Sequence, residues 1–262
     1  MAMTVITRFA PSPTGHLHLG HIHAALVARR AGDLMLLRLE DIDTQRCRPD
    51  YAEAILDDLR WLGIDWDGPV LVQTDHLPLY RAALNQLIAR GLAYPCFCSR
   101  ADIEAAGAAP HGPEGPVYPG TCRHLAPALR IERMARERHC WRLDMSKSLA
   151  TTQRQDGGPS AFGDIVIERR DTPGSYHLCS VHDDAMQGVT LVTRAYDLAP
   201  AEPLHRLLQD LFGWPHPNYR HFPLLTDAYG KRLSKRDNAS SIRALRAAGH
   251  PPEAIRAMAG FP

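Results

Sequence analysis

The segment from Arg8 to His21 combines glycines, prolines and histidines in the order RFAPSPTGHLHLGH. A glycine loop that leads into a helix start presents free backbone N–H groups, and with the helix dipole these favour a phosphate. The imidazoles of His18 and His21 would add donors at the same place. The same histidines could instead gather a metal ion or form a solvated turn, so this segment alone leaves the chemistry open.

A second candidate is the basic run Lys231 to Arg236, which reads KRLSKR. Its cations could hold a triphosphate or a leaving pyrophosphate. Taken by itself, however, a run of this kind is typical of a solvated surface.

The cysteines suggest a metal. Cys96, Cys98 and Cys122 offer three soft ligands of the kind that tetrahedral zinc prefers, and zinc could stabilise a Gly- and Pro-rich loop that buries little core of its own. By residue type, His124 or His111 would complete the set, and the alternative is three buried free thiols. The six cysteines are too scattered for a secreted disulfide framework, which favours a reducing cytoplasm.

The amino-acid composition and the net charge limit the classes of function that we expect for this protein. The 262 residues are 45% hydrophobic and 23% charged, as in globular proteins. A net charge of +1 gives no general attraction for a polyanion, so any nucleic-acid contact needs a local patch, such as the arginines between Arg123 and Arg142. No stretch of about 18 apolar residues and no apolar leader is present, so we expect neither membrane insertion nor export.

Strand and helix patterns alternate along the first part of the chain. Residues 5–9 and 34–39 are predicted strands, and residues 20–31, 51–62 and 79–90 are predicted helices. This alternation favours an α/β fold with a parallel, doubly wound sheet.

The alternation breaks at Tyr94, where a Gly- and Pro-rich stretch predicts an inserted subdomain. Strand-like runs return at 165–167 and 189–192, before a helix over 202–211. We therefore predict four parts: a first half-domain over 1–93, an insertion over 94–180, a second half-domain over 181–226, and a basic loop with a short helical segment over 227–262.

The two candidate loops, with the strand end EDID between them, resemble the signature sequences of class I aminoacyl-tRNA synthetases. The glutamyl branch of that family is the most similar, because a set of segments recurs in its order across nearly the whole catalytic core. These segments are RFAPSPTGHLHLGH, LLRLEDID, LGIDWDGP, YPCFC, IERRDTPGSYHL, DDAMQGVT and LFGW.

The resemblance implies a Rossmann-like catalytic core with an inserted zinc-binding, acceptor-type subdomain and a short helical C-terminal segment. It also implies residue roles. Catalysis would rest on His18, His21 and Lys235, and ATP would be bound by His18, Gly20, His21, Ser234 and Lys235. Glutamate would be bound by Arg8, Phe9, Ala10, Pro11, Ser12, Glu40, Tyr176 and Arg194. One structural zinc ion would be held by Cys96, Cys98, Cys122 and, as the fourth ligand, Tyr118.

Two positions depart from the family pattern. The residue after Arg194 is usually glycine, whereas Ala195 and Tyr196 stand here, which puts the backbone beside the glutamate side chain in question. The second signature reads RLSKR rather than the commoner KMSKS, but it keeps Ser234 and Lys235, and a leucine for methionine exchange preserves packing.

The resemblance further implies activation of L-glutamate with MgATP to glutamyl-adenylate. The residues after Arg236 are too few for the helical domains that read anticodons, so the architecture is most similar to the glutamyl-queuosine tRNA(Asp) synthetase family. That family transfers glutamate, without tRNA in the activation step, to queuosine at the wobble position of tRNA(Asp). We expect a cytoplasmic monomer. The alternatives are a truncated or discriminating glutamyl-tRNA synthetase that charges a tRNA 3′ end, and a non-catalytic tRNA-binding module.

Overall fold

The computed structural model describes residues 4–105, 111–113, 115–154, 158–225 and 241–261. The chain divides into two compact units. Unit 1 comprises Met1–Asp75, Gln187–Ala199 and Pro217–Pro262, and unit 2 comprises His76–Met186 and Pro200–His216. The predicted insertion over 94–180 falls inside unit 2, whereas the basic run from Lys231 to Arg236 lies outside the described residues.

Unit 1 is built on parallel strands. Three of them pair in the order β1-β2-β3, namely β1 (Ile6–Phe9), β2 (Leu34–Leu39) and β3 (Leu71–Val72). A second parallel pair joins β9 (Leu191–Ala195) to β10 (Asn218–Phe222). The predicted strands over 5–9 and 34–39 are confirmed, and the one predicted over 189–192 begins two residues later.

Four helices complete unit 1 in the described residues: α1 (Leu19–Ala31), α2 (Pro49–Trp61), α9 (Ile242–Ala247) and α10 (Pro252–Met258). The predicted helices over 20–31 and 51–62 match α1 and α2. Ile22 of α1 and Ile55 of α2 share one buried core with Ile242, Ile255 and Ala259. Residues early and late in the sequence therefore stabilise each other by burying apolar surface.

Unit 2 contains an antiparallel sheet with helices around it. Its strand order is β4-β7-β8, and β5 and β6 form a separate two-residue pair. The strands are β4 (Ala93–Cys96), β5 (His111–Gly112), β6 (Gly115–Pro116), β7 (Cys140–Leu143) and β8 (Val166–Glu168). The helices are α3 (Leu77–Ala89), α4 (Arg100–Ala105), α5 (Pro127–Arg136), α6 (Met145–Thr152), α7 (Tyr176–Met186) and α8 (Glu202–Phe212).

The core of unit 2 lies between α3, α6, α7 and α8. Leu84, Leu178, Leu204 and Leu208 are fully buried in it. A smaller cluster around Tyr94, Phe97 and the cysteines lies at the end of β4. In the part of the chain that the structure describes, no helix has the length and apolarity needed to cross a membrane.

Candidate active site and metal centre

The start of α1 brings His18 and His21 together. Their ring centroids are 3.8 Å apart. His18 is the N-cap residue, and its Nδ1 accepts a hydrogen bond from the Gly20 amide at 3.1 Å. In return, Nδ1 of His21 accepts from the His18 amide at 3.2 Å. Both imidazoles are thus fixed by the helix start, as in a capping box.

These two hydrogen bonds determine where each imidazole carries its proton. A backbone N–H can only donate, so Nδ1 of both His18 and His21 must be the acceptor nitrogen. In the neutral ring the hydrogen is then on Nε2. Each imidazole therefore offers an Nε2–H donor at a helix N-terminus, where an anion is favoured.

A side chain at Gly20 would crowd the His18 ring. A Cβ at Gly20 would lie 3.0 Å from Cε1 and 3.1 Å from Nδ1 of His18, which is closer than ordinary van der Waals contact. A Cβ at Gly15, in the loop before the helix, would have no heavy atom within 4 Å. The two glycines of the motif therefore have different roles, and only Gly20 positions an imidazole.

The chain returns to this loop after the basic run. Ser241 forms an isolated antiparallel bridge with His18, and the Ile242 amide donates to the Leu17 carbonyl at 2.8 Å. Ser234 and Lys235 lie outside the described residues, so their predicted contacts with ATP remain predictions.

Arg8 and Arg194 lie near the C-terminal ends of β1 and β9, with 7% and 5% of their surface exposed. Arg8 Nη1 donates to the Thr193 carbonyl at 3.3 Å, so the two guanidinium-bearing strands meet here. The Arg194 guanidinium lies over the Tyr219 ring, with 4.7 Å between Cζ and the ring centroid. Sequence reasoning missed Tyr219, because its contact joins two strands that are distant in the sequence.

Glu40 directly follows β2 and is hydrogen bonded to the loop after β1. Its amide donates to the Pro11 carbonyl at 3.1 Å, which ties it to the segment Phe9 to Ser12. Its carboxylate lies 3.5 Å from Nε of the fully buried Arg38, whose Nη1 donates to Gln187 Oε1 at 3.1 Å. Arg38 was also missed, although its spacing of two residues from Glu40 places both side chains on one face of an extended strand.

Tyr176 is the first residue of α7 and belongs to unit 2, unlike the other predicted glutamate contacts. Its ring lies 5.3 Å from that of His177 and 5.8 Å from that of His205, measured between centroids. It lines a cavity of about 280 Å³ within unit 2, together with Tyr118 and Arg142. Because Tyr176 is in unit 2 and the other predicted glutamate contacts are in unit 1, its contact with glutamate stays a prediction.

The sulfur atoms of Cys96, Cys98 and Cys122 lie within 4.8 Å of one another. The Cys98 and Cys122 sulfurs are 3.6 Å apart, close to the roughly 3.8 Å expected in a tetrahedral site with Zn–S bonds of about 2.3 Å. Oη of Tyr118 lies 3.5 Å from the Cys98 sulfur and accepts a hydrogen bond from the Cys122 amide at 2.8 Å. The three thiols and Tyr118 thus fit a zinc ion in donor type and in spacing.

The alternative fourth ligands are placed differently. His124 is exposed and does not belong to the group of potential ligand atoms found among the described residues. The side chain of His111 lies outside the described part of the chain. The geometry therefore favours Tyr118.

The surroundings of Cys96 and Cys98 shift the pKa values of their thiols in opposite directions. The hydrogen bond from Cys140 is the main cause that lowers the pKa of Cys96. Burial raises the pKa of Cys98 to about 11, and burial likewise raises the pKa of Tyr118 above its usual range. Since a metal binds the thiolate, zinc binding at this site would release protons.

Three arginines of the basic stretch have partners inside unit 2. Arg123 Nε forms an ion pair with Asp164 at 2.8 Å. Arg130 donates to the carbonyls of Arg123 and Leu125 at 3.1 and 3.4 Å. Arg133 pairs with Glu137 at 2.6 Å and lies over the Phe97 ring. A contact of these three arginines with tRNA stays a prediction.

Comparison with known proteins agrees with this geometry. The family described as "tRNA synthetases class I (E and Q), catalytic domain" matches residues 4–260. A glutamate tRNA ligase from Elizabethkingia meningosepticum, solved in complex with its amino acid, superposes with a TM-score of 0.77 at 26% identity. That alignment covers 98% of this chain and 60% of the ligase chain. The chain thus has the fold and the length of a class I synthetase catalytic domain.

Proteins that are similar in sequence show to which branch of the synthetase family the chain belongs. A Glutamyl-Q tRNA(Asp) synthetase from Rhodobacter capsulatus is 49% identical over 98% of this chain and 100% of its own length. One from Symbiobacterium thermophilum is 45% identical over 95% of this chain and 83% of its own length. A Glutamate--tRNA ligase from Aquifex aeolicus is 37% identical, and this chain spans 55% of it. The chain belongs to the class I tRNA synthetase family for E and Q, and within it to the glutamyl-Q tRNA(Asp) synthetases.

Proposed function

We propose that this chain is an ATP-dependent ligase that activates L-glutamate to glutamyl-adenylate without tRNA and transfers the glutamate to queuosine at the wobble position of tRNA(Asp). The observation that carries the proposal is the match to the Rhodobacter capsulatus Glutamyl-Q tRNA(Asp) synthetase, which extends over that protein's whole length. This chain covers only 55% of the Aquifex aeolicus ligase and 60% of the Elizabethkingia meningosepticum ligase chain.

The glutamate site is proposed at the ends of β1, β2 and β9. Glutamate has two carboxylates and one ammonium group, so two guanidiniums and one carboxylate match its charges. Arg8, Arg194 and Glu40 are linked there through Thr193 and Pro11. The loop from Phe9 to Ser12 would supply backbone groups, and the family resemblance implies Tyr176 as a further glutamate contact.

The nucleotide site is proposed at the start of α1. The Nε2–H groups of His18 and His21 and the positive end of the α1 dipole would bind phosphate oxygens beside Gly20. Ser234 and Lys235 would meet the same phosphates, which the position of Ser241 beside His18 supports. Mg²⁺ is expected to arrive with ATP.

Activation requires no general base in this scheme. The α-carboxylate of glutamate is already ionised at neutral pH and can attack the α-phosphorus of ATP directly, with pyrophosphate as the leaving group. Catalysis then depends on alignment and on donors to the phosphate oxygens whose charge grows in the transition state.

Zinc is proposed at Cys96, Cys98, Cys122 and Tyr118. Bound there, it would join the end of β4 to the irregular segment that contains Tyr118 and Cys122, and it would stabilise a region with only a small apolar core. Its role in this proposal is structural, because no step of the reaction requires it.

The acceptor can be tested directly. The protein would be incubated with ATP, labelled glutamate and tRNA(Asp) with and without queuosine. A third sample would be queuosine-bearing tRNA(Asp) with a 2′,3′-dideoxy terminus, because periodate treatment of the 3′ end would also destroy the cis-diol of queuosine. The proposal expects label only in queuosine-bearing tRNA, with or without the terminal diol.

Two other outcomes would refute it. Label that requires the 3′ diol and ignores queuosine would identify a tRNA-charging enzyme, as in the Aquifex aeolicus relative. No glutamate-dependent exchange of pyrophosphate into ATP would identify a non-catalytic module. A tRNA substrate also implies action in the cytoplasm; the monomeric state remains a prediction for sedimentation to check.

A further inference from the structure

Arg142 is a buried cation with an unusual set of neighbours. It lies on β7 with 8% of its surface exposed. Its Nη1 donates to the Asp164 carbonyl at 2.7 Å, whereas its buried Nε has no hydrogen-bond partner among the described residues. A guanidinium stays charged at all physiological pH values. Burying it is costly unless an anion compensates it.

The nearby carboxylates are engaged by other groups. The Asp164 carboxylate accepts from the Tyr94 hydroxyl and the Met145 amide and pairs with Arg123 at 2.8 Å. Glu168 pairs with Arg81 at 2.9 Å. Within the described part of the chain, no carboxylate forms an ion pair with Arg142, so its compensating charge must come from another source.

The groups that face Arg142 belong to the cysteine cluster. Its Cζ lies 3.9 Å from the centroid of the Tyr118 ring. In the β4–β7 pairing Cys140 stands opposite Cys96, and Arg142 follows Cys140 by two residues, on the same face of the strand.

We propose that Arg142 supplies the compensating positive charge for the metal centre formed by Cys96, Cys98, Cys122 and Tyr118. Three thiolates exceed the charge of one Zn²⁺ ion by one unit when Tyr118 is neutral, and one guanidinium restores neutrality. The inference rests on the proposed zinc site. It makes metal binding and the burial of Arg142 interdependent, because each provides the charge that the other lacks.

The test measures zinc affinity by competition with a chromophoric chelator, for the wild type, R142Q, R142K and R130Q. Arg130 is the matched control, because it also donates to backbone carbonyls and also has a buried Nε without a partner in the described residues. We expect R142Q to bind zinc about 10- to 100-fold more weakly, as for other outer partners of metal ligands. R142K and R130Q should bind zinc like the wild type.

Melting temperatures with and without zinc distinguish this role from ordinary packing. Charge compensation predicts that R142Q lowers the melting temperature of the zinc-loaded protein and does not lower that of the metal-free protein. An equal decrease in both forms, or an unchanged zinc affinity, would overturn the proposal.

If R142Q does not fold with or without zinc, the zinc affinity of R142K tests the proposal instead. Wild-type zinc affinity in R142K supports charge compensation, and a loss of more than about tenfold contradicts it. If the wild type itself binds well under one equivalent of zinc, the metal centre and this inference both fail. Glutamate-dependent pyrophosphate exchange in the wild type is measured separately, so that failure would leave the proposed reaction standing.

Discussion

Each unit buries an ionisable side chain that has no ion-pair partner of opposite charge within the described residues: Asp58 in unit 1 and Arg142 in unit 2. Neither carboxylate oxygen of Asp58 accepts a hydrogen bond there, and the side chain is fully buried in α2. Burial raises the pKa of Asp58 to about 6, against a lesser opposing effect of Arg243.

The two groups differ in how they can become neutral. Asp58 can take up a proton, whereas the guanidinium of Arg142 cannot lose one under physiological conditions. The free-energy cost of burying Asp58 in unit 1 therefore depends on pH. Unit 2 must provide an anion, which we infer to be the metal-thiolate centre.

The largest expected effect is that of metal removal. A chelator that removes zinc should leave Arg142 and the segment from Cys96 to Cys122 without their main stabilisation. We expect amide hydrogen exchange in that segment to become about 100-fold faster or more, whereas exchange in α1 of unit 1 stays unchanged. Mass spectrometry of both regions measures this, and equal acceleration in α1 would contradict the comparison.

The second prediction concerns Asp58. Its folded-state pKa is above the ordinary value of 3.8, so the stability of its protonated form is fully present below pH 3.8 and is lost as the pH rises through about 6. This group should lower the free energy of unfolding by about 2 kcal/mol between pH 4 and pH 8. Asp58→Asn should remove that pH dependence.

Urea denaturation at both pH values tests the prediction. Asp57→Asn is the control, because the Asp57 side chain is 58% exposed and pairs with Arg246 on the surface. Identical pH dependence in the wild type and in Asp58→Asn would show that Asp58 is not the titrating group.

The third prediction concerns the position of the His18 ring in unit 1. Gly20→Ala should push the His18 ring by a few tenths of an ångström, because the new Cβ would lie 3.0 Å from Cε1. We expect about a tenfold loss in kcat/KM for ATP in pyrophosphate exchange, as misplacement of a catalytic group is costly. Gly15→Ala meets no neighbouring atom within 4 Å and should retain wild-type activity.

The smallest expected effect tests the contact between Arg194 and Tyr219. Tyr219→Leu removes a cation–π interaction of about 1 kcal/mol and should raise KM for glutamate about fivefold, with kcat little changed. Tyr219→Phe keeps the ring and should restore the wild-type KM. If both variants behave alike, the ring does not position Arg194.

The sequence predicted those features that depend on local patterns. Alternating apolar residues identified β1 and β2, helical spacing identified α1 and α2, and the close spacing of Cys96 and Cys98 indicated the cysteine cluster that the structure shows. The resemblance to a family added Tyr118, which lies in the cluster.

The missed residues depend on contacts between distant segments. Tyr219 meets Arg194 because β10 pairs with β9, and no local pattern encodes that register. Arg142 lies over Tyr118, which precedes it by 24 residues, and no local pattern predicts that contact. Asp58 did carry a signal, since it lies three residues after Ile55 and therefore on the apolar face of α2. Its neighbour Asp57, by contrast, is on the exposed side of the helix.

The shared core of Ile22, Ile55, Ile242 and Ala259 has a consequence for biosynthesis. As the polypeptide leaves the ribosome, α1 and α2 emerge long before the side chains of α9 and α10 that cover their apolar faces. Unit 1 therefore cannot complete its folding until Ala259 has been added, and the nascent chain must keep those faces from aggregating in the meantime.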